Sequence, residues 1–183
     1  MQSLRAHLLV ASPKLPDQNF YRTVVLLIQH NEEGAFGVVL NRPTSVSVGD
    51  VWSGVADEPC DSQEPINLGG PVEGPLLALH QQEHCSEGEV LPGVYMATRK
   101  ELLRRIVSQQ QHPYRLFSGY AGWGEGQLEG ELRVGGWLTT PASADHVFRS
   151  ADDLWKEVAD HIGREILGPT GKSKHVPSDP TMN

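Results

Sequence analysis

The chain has 183 residues, of which 38% are hydrophobic, and this length suits one domain whose core needs no disulfide or metal to stabilise it. Its 23 acidic and 15 basic residues give a formal net charge of -8. A surface this acidic repels nucleic acid and anionic membranes, so we expect no membrane association, and direct DNA binding would need a local basic patch that the sequence does not show.

The two cysteines, Cys60 and Cys85, are too few for a disulfide framework and have no metal-ligand spacing around them. A reduced cytosolic setting suits such a pair, so we predict a cytoplasmic protein. The N-terminal run MQSLRAHLLVASPKLP lacks the extended apolar region of a signal peptide, and nowhere do 18 apolar residues follow one another. We therefore expect no membrane span.

Short β-favouring runs dominate the first part of the chain. Arg22–His30 reads RTVVLLIQH, and an apolar run without alternation predicts a central strand that is covered on both faces. Asn31-Glu-Glu-Gly34 supplies turn residues before the next apolar run, which predicts a hairpin. The next segment favours a short helix near Ser47, and the acidic stretch Gly54–Pro65 is interpreted as an exposed connection.

Asn41-Arg42-Pro43 closes the second strand of this hairpin. Pro43 restricts Arg42 to an extended backbone, which fixes the direction of the guanidinium. A planar guanidinium matches carboxylate and phosphate groups, so Arg42 is a candidate anion clamp, although a structurally paired arginine is the commoner outcome.

Two motifs follow in the middle of the chain. Gly69-Gly70-Pro71 forms a turn, and a Gly-Gly pair lets either a ligand or a neighbouring strand approach the backbone closely. His80, His84 and Cys85 carry groups that ligate zinc, but the segment is predicted as a strand end and a loop, which does not set them on one helix face. We predict no metal site.

Helical patterns occur at two places. Thr98-x-x-Glu101 is typical of a capping box, and the apolar spacing after it predicts a helix over Arg99–Gln109. A second helix, capped by Ser150, is predicted over Ala151–Leu167. An apolar stripe recurs along it every four residues, at Leu154, Val158, Ile162 and Ile166.

The stretch Tyr114–Trp137 contains the densest glycine and aromatic pattern. A strand is predicted before the glycines, a tight turn through Gly119–Gly126, and a short helix over Gln127–Arg133. Two interpretations stay open. Tyr120 and Trp123 either plug the core at a rigid corner, or line a surface for a ligand or partner. The spacing matches neither a dinucleotide fingerprint nor a phosphate loop.

These patterns together predict one α+β domain with a mixed, largely antiparallel sheet, flanked by two main helices and the short third one. Residues 1–168 form this domain, and residues 169–183 are a flexible C-terminal tail. Pro141 is predicted to start a loop that runs to Ser150. The predicted strands are Leu8–Ser12, Thr23–His30, Ala35–Asn41, Ile66–Leu68, Leu76–His80, Gly93–Ala97, Arg115–Gly119 and Trp137–Thr140.

The sequence also resembles a known family. FSGYAGWGEGQLEGE, LLVASPKLPDQNFYRTVVLLIQHNEEGAFGVVLNRP and the Asn67-Leu-Gly-Gly-Pro-Val72 run are similar to the YqgE/AlgH family of bacterial proteins, also called UPF0301. The resemblance spans roughly residues 3 to 167. It implies no settled biochemical activity. One branch of the family is named for an effect on alginate production and has been discussed as a transcriptional regulator.

Two classes of function follow as hypotheses. The favoured one is a non-enzymatic regulator or adaptor, and the resemblance extends it to transcription of exopolysaccharide genes; the alternative is a small-molecule sensor or enzyme with an anion-binding cleft near the glycine-rich loop. The chain has no nucleophile elbow or zinc helix, so no catalytic residue, metal or cofactor is predicted. The candidate binding residues are Asn41, Arg42, Gly69, Gly70, Pro71, Arg115, Tyr120, Trp123, Gln127 and Glu129.

Overall fold

The computed structural model describes residues 2–56, 60–109 and 112–167. The tail predicted at residues 169–183 lies outside the described residues. The eleven strands of the described part are β1 His7–Ala11, β2 Val24–Asn31, β3 Gly34–Val39, β4 Pro43–Ser47, β5 Pro65–Leu68, β6 Leu77–His80, β7 Gly88–Leu91, β8 Val94–Ala97, β9 Tyr114–Ser118, β10 Ala121–Gly124 and β11 Trp137–Pro141. The five α-helices are α1 Val48–Ala56, α2 Lys100–Ser108, α3 Gln127–Arg133, α4 Ala144–Phe148 and α5 Leu154–Leu167.

The first sheet has five strands in the order β10-β3-β2-β1-β11, and every neighbouring pair is antiparallel. The apolar run predicted as a central strand is β2, which lies in the middle of this sheet. Its residues 24–28 are all buried, because neighbouring layers cover both of its faces. The predicted hairpin is confirmed as β2 and β3, with Asn31 paired to Gly34.

The second sheet has six strands in the order β4-β5-β9-β6-β8-β7. Its pairs are antiparallel except for β5 and β9, which run parallel. The predicted α+β class is therefore confirmed. The predicted strands are divided between two sheets, however, whereas the sequence analysis placed them in one.

The two sheets meet where β9 leads into β10. Tyr120 and Val72 form an isolated antiparallel bridge at this point, and the backbone N–H of Gly69 donates to the Ser118 carbonyl at 2.8 Å. Added Cβ atoms would lie 2.3 Å from the Gly119 oxygen at Gly69 and 2.2 Å from the Tyr120 carbonyl carbon at Gly70. The Gly-Gly pair thus permits close backbone packing between the sheets.

Part of the glycine turn predicted at Gly119–Gly126 is wrong, because Ala121–Gly124 is strand β10. Its residues alternate in burial, with Ala121 and Trp123 inside and two glycines outside. The glycine at position 122 leaves room for the Tyr120 ring, which would contact an added Cβ at 3.2 Å. Strands β4 and β7 were also missed; each lies at an edge of the second sheet and shows little apolar alternation.

The helices differ from the predictions mainly at their ends. The capping box at Thr98 is wrong: the N-cap of α2 is Arg99, and the Thr98 hydroxyl donates to the Glu87 carboxylate at 3.0 Å. The predicted loop after Pro141 contains α4, which is capped by Ser143 through a capping box with His146. Helix α5 begins at Leu154, three residues after the predicted start.

Helix α5 packs its apolar stripe against the core beside the first sheet. Leu154, Val158 and Ile162 are buried as predicted, whereas Ile166 is 73% exposed, so the stripe ends one turn early. The Trp155 indole donates to the Ala11 carbonyl at 2.9 Å and fixes the helix to β1. Among the described residues, no helix is both long and apolar enough to cross a membrane.

Candidate functional site

The glycine-rich stretch builds an aromatic corner in the core. Trp123 is only 6% exposed, stacks on Phe20 at 6.0 Å between ring centroids, and meets Trp137 edge-on at 6.0 Å. Both indole N–H groups donate to one carboxylate oxygen of Glu131, at 3.0 Å and 2.7 Å. Gln127 donates to the other oxygen at 3.1 Å. The Trp123 ring therefore packs inside the protein.

Glu129 points to a buried histidine of the first sheet. The Leu4 backbone N–H donates to His30 Nδ1 at 2.8 Å, so the proton lies on Nε2, which donates to Glu129 at 2.8 Å. A hydrogen bond at Glu129's own backbone, followed by the one from His30, lowers the pKa of Glu129. This pair joins α3 to β2.

Asn41 and Arg42 stabilise the loop before β2. The Asn41 side chain accepts from the Val24 N–H at 2.9 Å and donates to the Arg22 carbonyl at 2.8 Å. Arg42 donates to the Tyr21 carbonyl at 2.7 Å. Arg42 is thus a structurally paired arginine, whose guanidinium binds a backbone carbonyl.

The remaining candidates from the glycine motifs lie at the junction of the two sheets. Tyr120 is half-buried and meets Phe36 edge-on at 6.0 Å between ring centroids. Gly69 and Gly70 are buried between backbones, while Pro71 is exposed. Gly69 and Gly70 therefore meet the backbone of Gly119 and Tyr120.

A cleft of about 710 Å³ opens between the second sheet and the link from α4 to α5. Of the ten candidate residues, Arg115 is the one that lines it within the described part of the chain. The other lining segments come from the start of β4, the approach to β5, the start of β9 and the end of α4. They comprise Pro43, residues 61–65, residues 112–114 and residues 148–152.

Arg115 is held tightly at this cleft by neutral acceptors. It donates to the Val147 carbonyl at 3.0 Å, to the Leu40 carbonyl at 2.7 Å, and to the Asn67 side-chain oxygen. No carboxylate of the described residues forms an ion pair with it. Burial lowers the pKa of Arg115, as expected for a cation removed from water.

The other charged groups of the cleft are mostly acidic. Asp61, Glu64 and Asp152 are exposed, and none of them forms an ion pair with a described lysine or arginine. Arg149 also lines the cleft, but its guanidinium lies 2.6 Å from Glu157 and 3.8 Å from Asp145. Arg115 is therefore the cation whose charge is left unpaired there.

A pair of hydroxyl groups lies at the buried side of the cleft. Ser62 and the Tyr114 phenol are 3.0 Å apart. Burial raises the pKa of Tyr114, although the bond from Ser62 opposes the shift. A phenol with a raised pKa is a poor base near neutral pH, so this pair does not activate Ser62 as a nucleophile.

The AlgH-like family model matches residues 8–167. The chain belongs to the AlgH-like family. Among curated relatives, a UPF0301 protein of Chlorobaculum tepidum is 42% identical over 182 residues, covering 96% of this chain and 91% of the relative. A UPF0301 protein of Streptomyces coelicolor is 37% identical, covering 100% of this chain and 97% of the relative.

Two solved structures share the fold of this AlgH-like protein. The solution structure of the AlgH protein from Pseudomonas aeruginosa is 30% identical, with a TM-score of 0.76, and the match covers 94% of this chain and 97% of that one. A crystal structure of a Corynebacterium diphtheriae protein is 25% identical, with a TM-score of 0.71 and 88% coverage of each chain.

Sequence reasoning missed the acidic side of the cleft in this AlgH-like protein. The acidic stretch Gly54–Pro65 was interpreted as an exposed connection, yet it contributes Asp61, Ser62 and Glu64 to the lining. Its acidic composition was the available signal, because unpaired carboxylates are typical of binding surfaces as well as of solvated loops. Within the described ranges, no three His, Cys, Asp or Glu side chains converge as metal ligands would.

Proposed function

We propose that this AlgH-like protein is a non-enzymatic regulatory protein that binds a small charged effector in the cleft at Arg115. The observation that carries the proposal is the guanidinium of Arg115, which lines a cleft of about 710 Å³ without a carboxylate partner among the described residues. Buried charges are normally paired, so an unpaired one that borders a cleft is a good candidate for a ligand contact.

Binding, and not catalysis, suits the groups around the cleft. The Ser62 hydroxyl bonds to a phenol that is a poor base, and the arginine charges lie in fixed hydrogen bonds or ion pairs. Such a site can hold a ligand in one orientation without moving a proton. Effector binding would then change the stability of the segments that meet at the cleft, which is a means of regulation.

A cytoplasmic location is part of this proposal. Its support is the pair of free cysteines, Cys60 and Cys85, of which Cys85 is buried. An effect on transcription of exopolysaccharide genes, which the family resemblance suggests, would be exerted through a partner protein, because the net charge of -8 opposes direct contact with DNA.

Thermal-shift screening tests the proposal. The purified protein is heated with nucleotides, phosphorylated metabolites, carboxylates and amino acids in turn. A ligand at about 100 times its dissociation constant adds roughly 2.7 kcal/mol to the free energy of unfolding, which raises Tm by several degrees. We expect at least one charged compound to give such a shift, and Arg115→Gln to abolish it.

Two features of the experiment separate binding from folding. Arg115→Gln also removes structural hydrogen bonds, so its own Tm is measured first, and a lower but cooperative transition remains informative. Asp61→Asn changes an exposed cleft residue and leaves those bonds intact. A library without any hit on the wild-type protein would reject the cleft as a binding site for small charged effectors.

A second candidate function, that of a protein adaptor, is favoured by an exposed apolar surface around Arg42. Tyr21 is 61% exposed and Leu68 is 49% exposed. The Arg42 guanidinium donates to the Tyr21 carbonyl at 2.7 Å, and the Arg42 carbonyl accepts from the Leu68 N–H at 2.8 Å. Tyrosine and arginine are enriched at the centres of protein interfaces. We expect Leu68→Ser to abolish capture of a protein partner, whereas Val134→Ser, at another exposed apolar residue, leaves capture unchanged.

A further inference from the structure

Opposite charges face the same cleft without pairing. Arg115 supplies the cation, and Asp61, Glu64 and Asp152 supply carboxylates. Among the described residues, no ion pair joins any of the three carboxylates to a lysine or arginine. The lining therefore offers a positive and a negative subsite at once, and a ligand that satisfies only one of them leaves the other unpaired.

Glu64 is the carboxylate whose charge acts on Arg115. Its negative charge partly offsets the effect of burial on the pKa of Arg115, so the two groups interact through space. Their nitrogen and oxygen atoms are nevertheless more than 4.0 Å apart, so the two side chains form no ion pair. A gap between two such charges leaves room for a ligand group that contacts both.

Hydrogen bonds hold the Glu64 backbone and the Arg115 side chain in place. The Val48 N–H donates to the Glu64 carbonyl at 2.8 Å, which attaches this residue to the start of α1. Three acceptors hold Arg115 in place. Leu40 directly follows β3, Val147 lies in α4, and Asn67 lies in β5. A guanidinium has five N–H groups, so donors remain for a ligand.

The charge balance excludes a simple anion as the best ligand. Arg149 is already neutralised by Glu157 and Asp145. A purely anionic compound would gain the interaction with Arg115 but would approach three carboxylates. A purely cationic compound would gain the carboxylates but would leave Arg115 unpaired and further desolvated.

We infer that the effector is a zwitterion with neighbouring carboxylate and ammonium groups, of which an L-α-amino acid is the simplest form. The inference rests on the proposed function, because it assigns a ligand class to the same cleft. The ligand carboxylate accepts from the free N–H groups of Arg115. The ligand ammonium lies between Glu64 and Asp61, and the hydroxyl pair of Ser62 and Tyr114 borders the site.

Isothermal titration calorimetry tests this inference with the full chain. Each of the twenty L-amino acids is titrated in turn. Every amino acid that binds is then compared with its decarboxylated amine and with the corresponding acid that lacks the amino group. We expect each analogue to bind at least about tenfold more weakly than the amino acid, because each loses one of two charge contacts.

Two variants locate the ammonium contact. Glu64→Gln removes the negative charge from an exposed side chain, so the fold should be retained, and we expect it to weaken amino-acid binding about five- to tenfold. Glu73→Gln is the matched control, because Glu73 is exposed and does not line the cleft. It should bind with wild-type affinity.

The possible outcomes distinguish the zwitterionic ligand from the proposed charged-effector cleft. If the acid without an amino group binds as tightly as the amino acid, or if Glu64→Gln binds like the wild type, the zwitterion is rejected while a charged effector stands. If no amino acid binds but other carboxylates or phosphates raise Tm, the zwitterion is again rejected and the regulatory cleft survives. If no charged compound binds at all, both the zwitterionic ligand and the regulatory cleft are rejected.

Discussion

At the scale of single residues, Trp123 is the side chain that the aromatic corner depends on most. Its ring is buried between Phe20 and Trp137, and its N–H donates to Glu131. We expect Trp123→Ala to lower the free energy of unfolding by about 3 kcal/mol or more, because it leaves a cavity and unpairs part of Glu131. Urea denaturation measures the change. A loss below about 1 kcal/mol would contradict the core position.

His80 gives the protein a predictable response to acid. It is fully buried, and desolvation lowers its pKa to about 4, while the Met96 carbonyl opposes the shift and the charge of His84 adds to it. An unfolded histidine has a pKa of about 6.5. Between these values the unfolded chain binds a proton that the folded chain does not, so stability is complete above about pH 6.5 and falls as the pH approaches 4.

The size of this loss is roughly 3 kcal/mol over that pH range. We expect His80→Asn to flatten the pH dependence of unfolding between pH 6.5 and 4, whatever it does to stability at pH 7. His146, whose pKa is also lowered by burial, is present in both proteins and cancels in the difference. The control is His112→Asn, at an exposed position. An unchanged pH profile in His80→Asn would contradict the assignment.

The sequence narrowed the roles of single residues to a few alternatives. Trp123 as a core ring and Arg42 as a structurally paired arginine were among the alternatives that the sequence left open. The partners were not predictable, since Glu131 meets two indoles, and Arg115 meets Leu40, Asn67 and Val147, only after distant segments have packed. The sequence contains no local signal for such contacts.

At the scale of elements, α5 offers two identical residues in different environments. Ile162 is 5% exposed and packs in the main core cluster, whereas Ile166, one turn further on, is 73% exposed. We expect Ile162→Ala to cost about 2–5 kcal/mol and Ile166→Ala less than about 0.5 kcal/mol. Urea denaturation compares the two variants. Equal losses would mean that the helix packs along its whole apolar stripe, as the sequence alone predicted.

The junction between the two sheets depends on Gly70. Its φ of +156° is one that residues with a side chain rarely adopt. The Tyr120 carbonyl group also occupies the position that a Cβ atom would take. We expect Gly70→Ala to lower the free energy of unfolding by about 2 kcal/mol or more, because backbone atoms must move. Gly124→Ala is the matched control, since an added Cβ there meets no atom within 4 Å. Similar stability of both variants would contradict the close packing.

Elements with strong periodicity were predicted well, and those that depend on tertiary context were not. The buried run of β2 and the stripe of α5 are recognisable because burial on one or both faces selects apolar residues. Strand β10 was missed because glycines at its outward positions indicate a turn. The capping box at Thr98 was wrong because Glu87, which directly precedes the edge strand β7, binds the Thr98 N–H and hydroxyl.

At the scale of the whole molecule, the α+β class follows from many short strands and a few helices, but the arrangement into two sheets does not. The break between the sheets lies where Gly69 bonds to Ser118 and Val72 bonds to Tyr120, and these partners are distant in sequence. The cleft likewise forms from four separated segments. The division of the chain into a domain of residues 1–168 and a flexible tail stays a prediction.

The measurement that tests the account most directly is an NMR titration of the uniformly ¹⁵N-labelled protein with an equimolar mixture of the twenty L-amino acids. We predict amide shifts confined to the segments that line the cleft, which are residues 61–65, 112–115 and 148–152. Shifts centred on Tyr120 and Gln127 would contradict a charged-effector site at Arg115, and a spectrum that does not change would contradict an amino-acid ligand for that site.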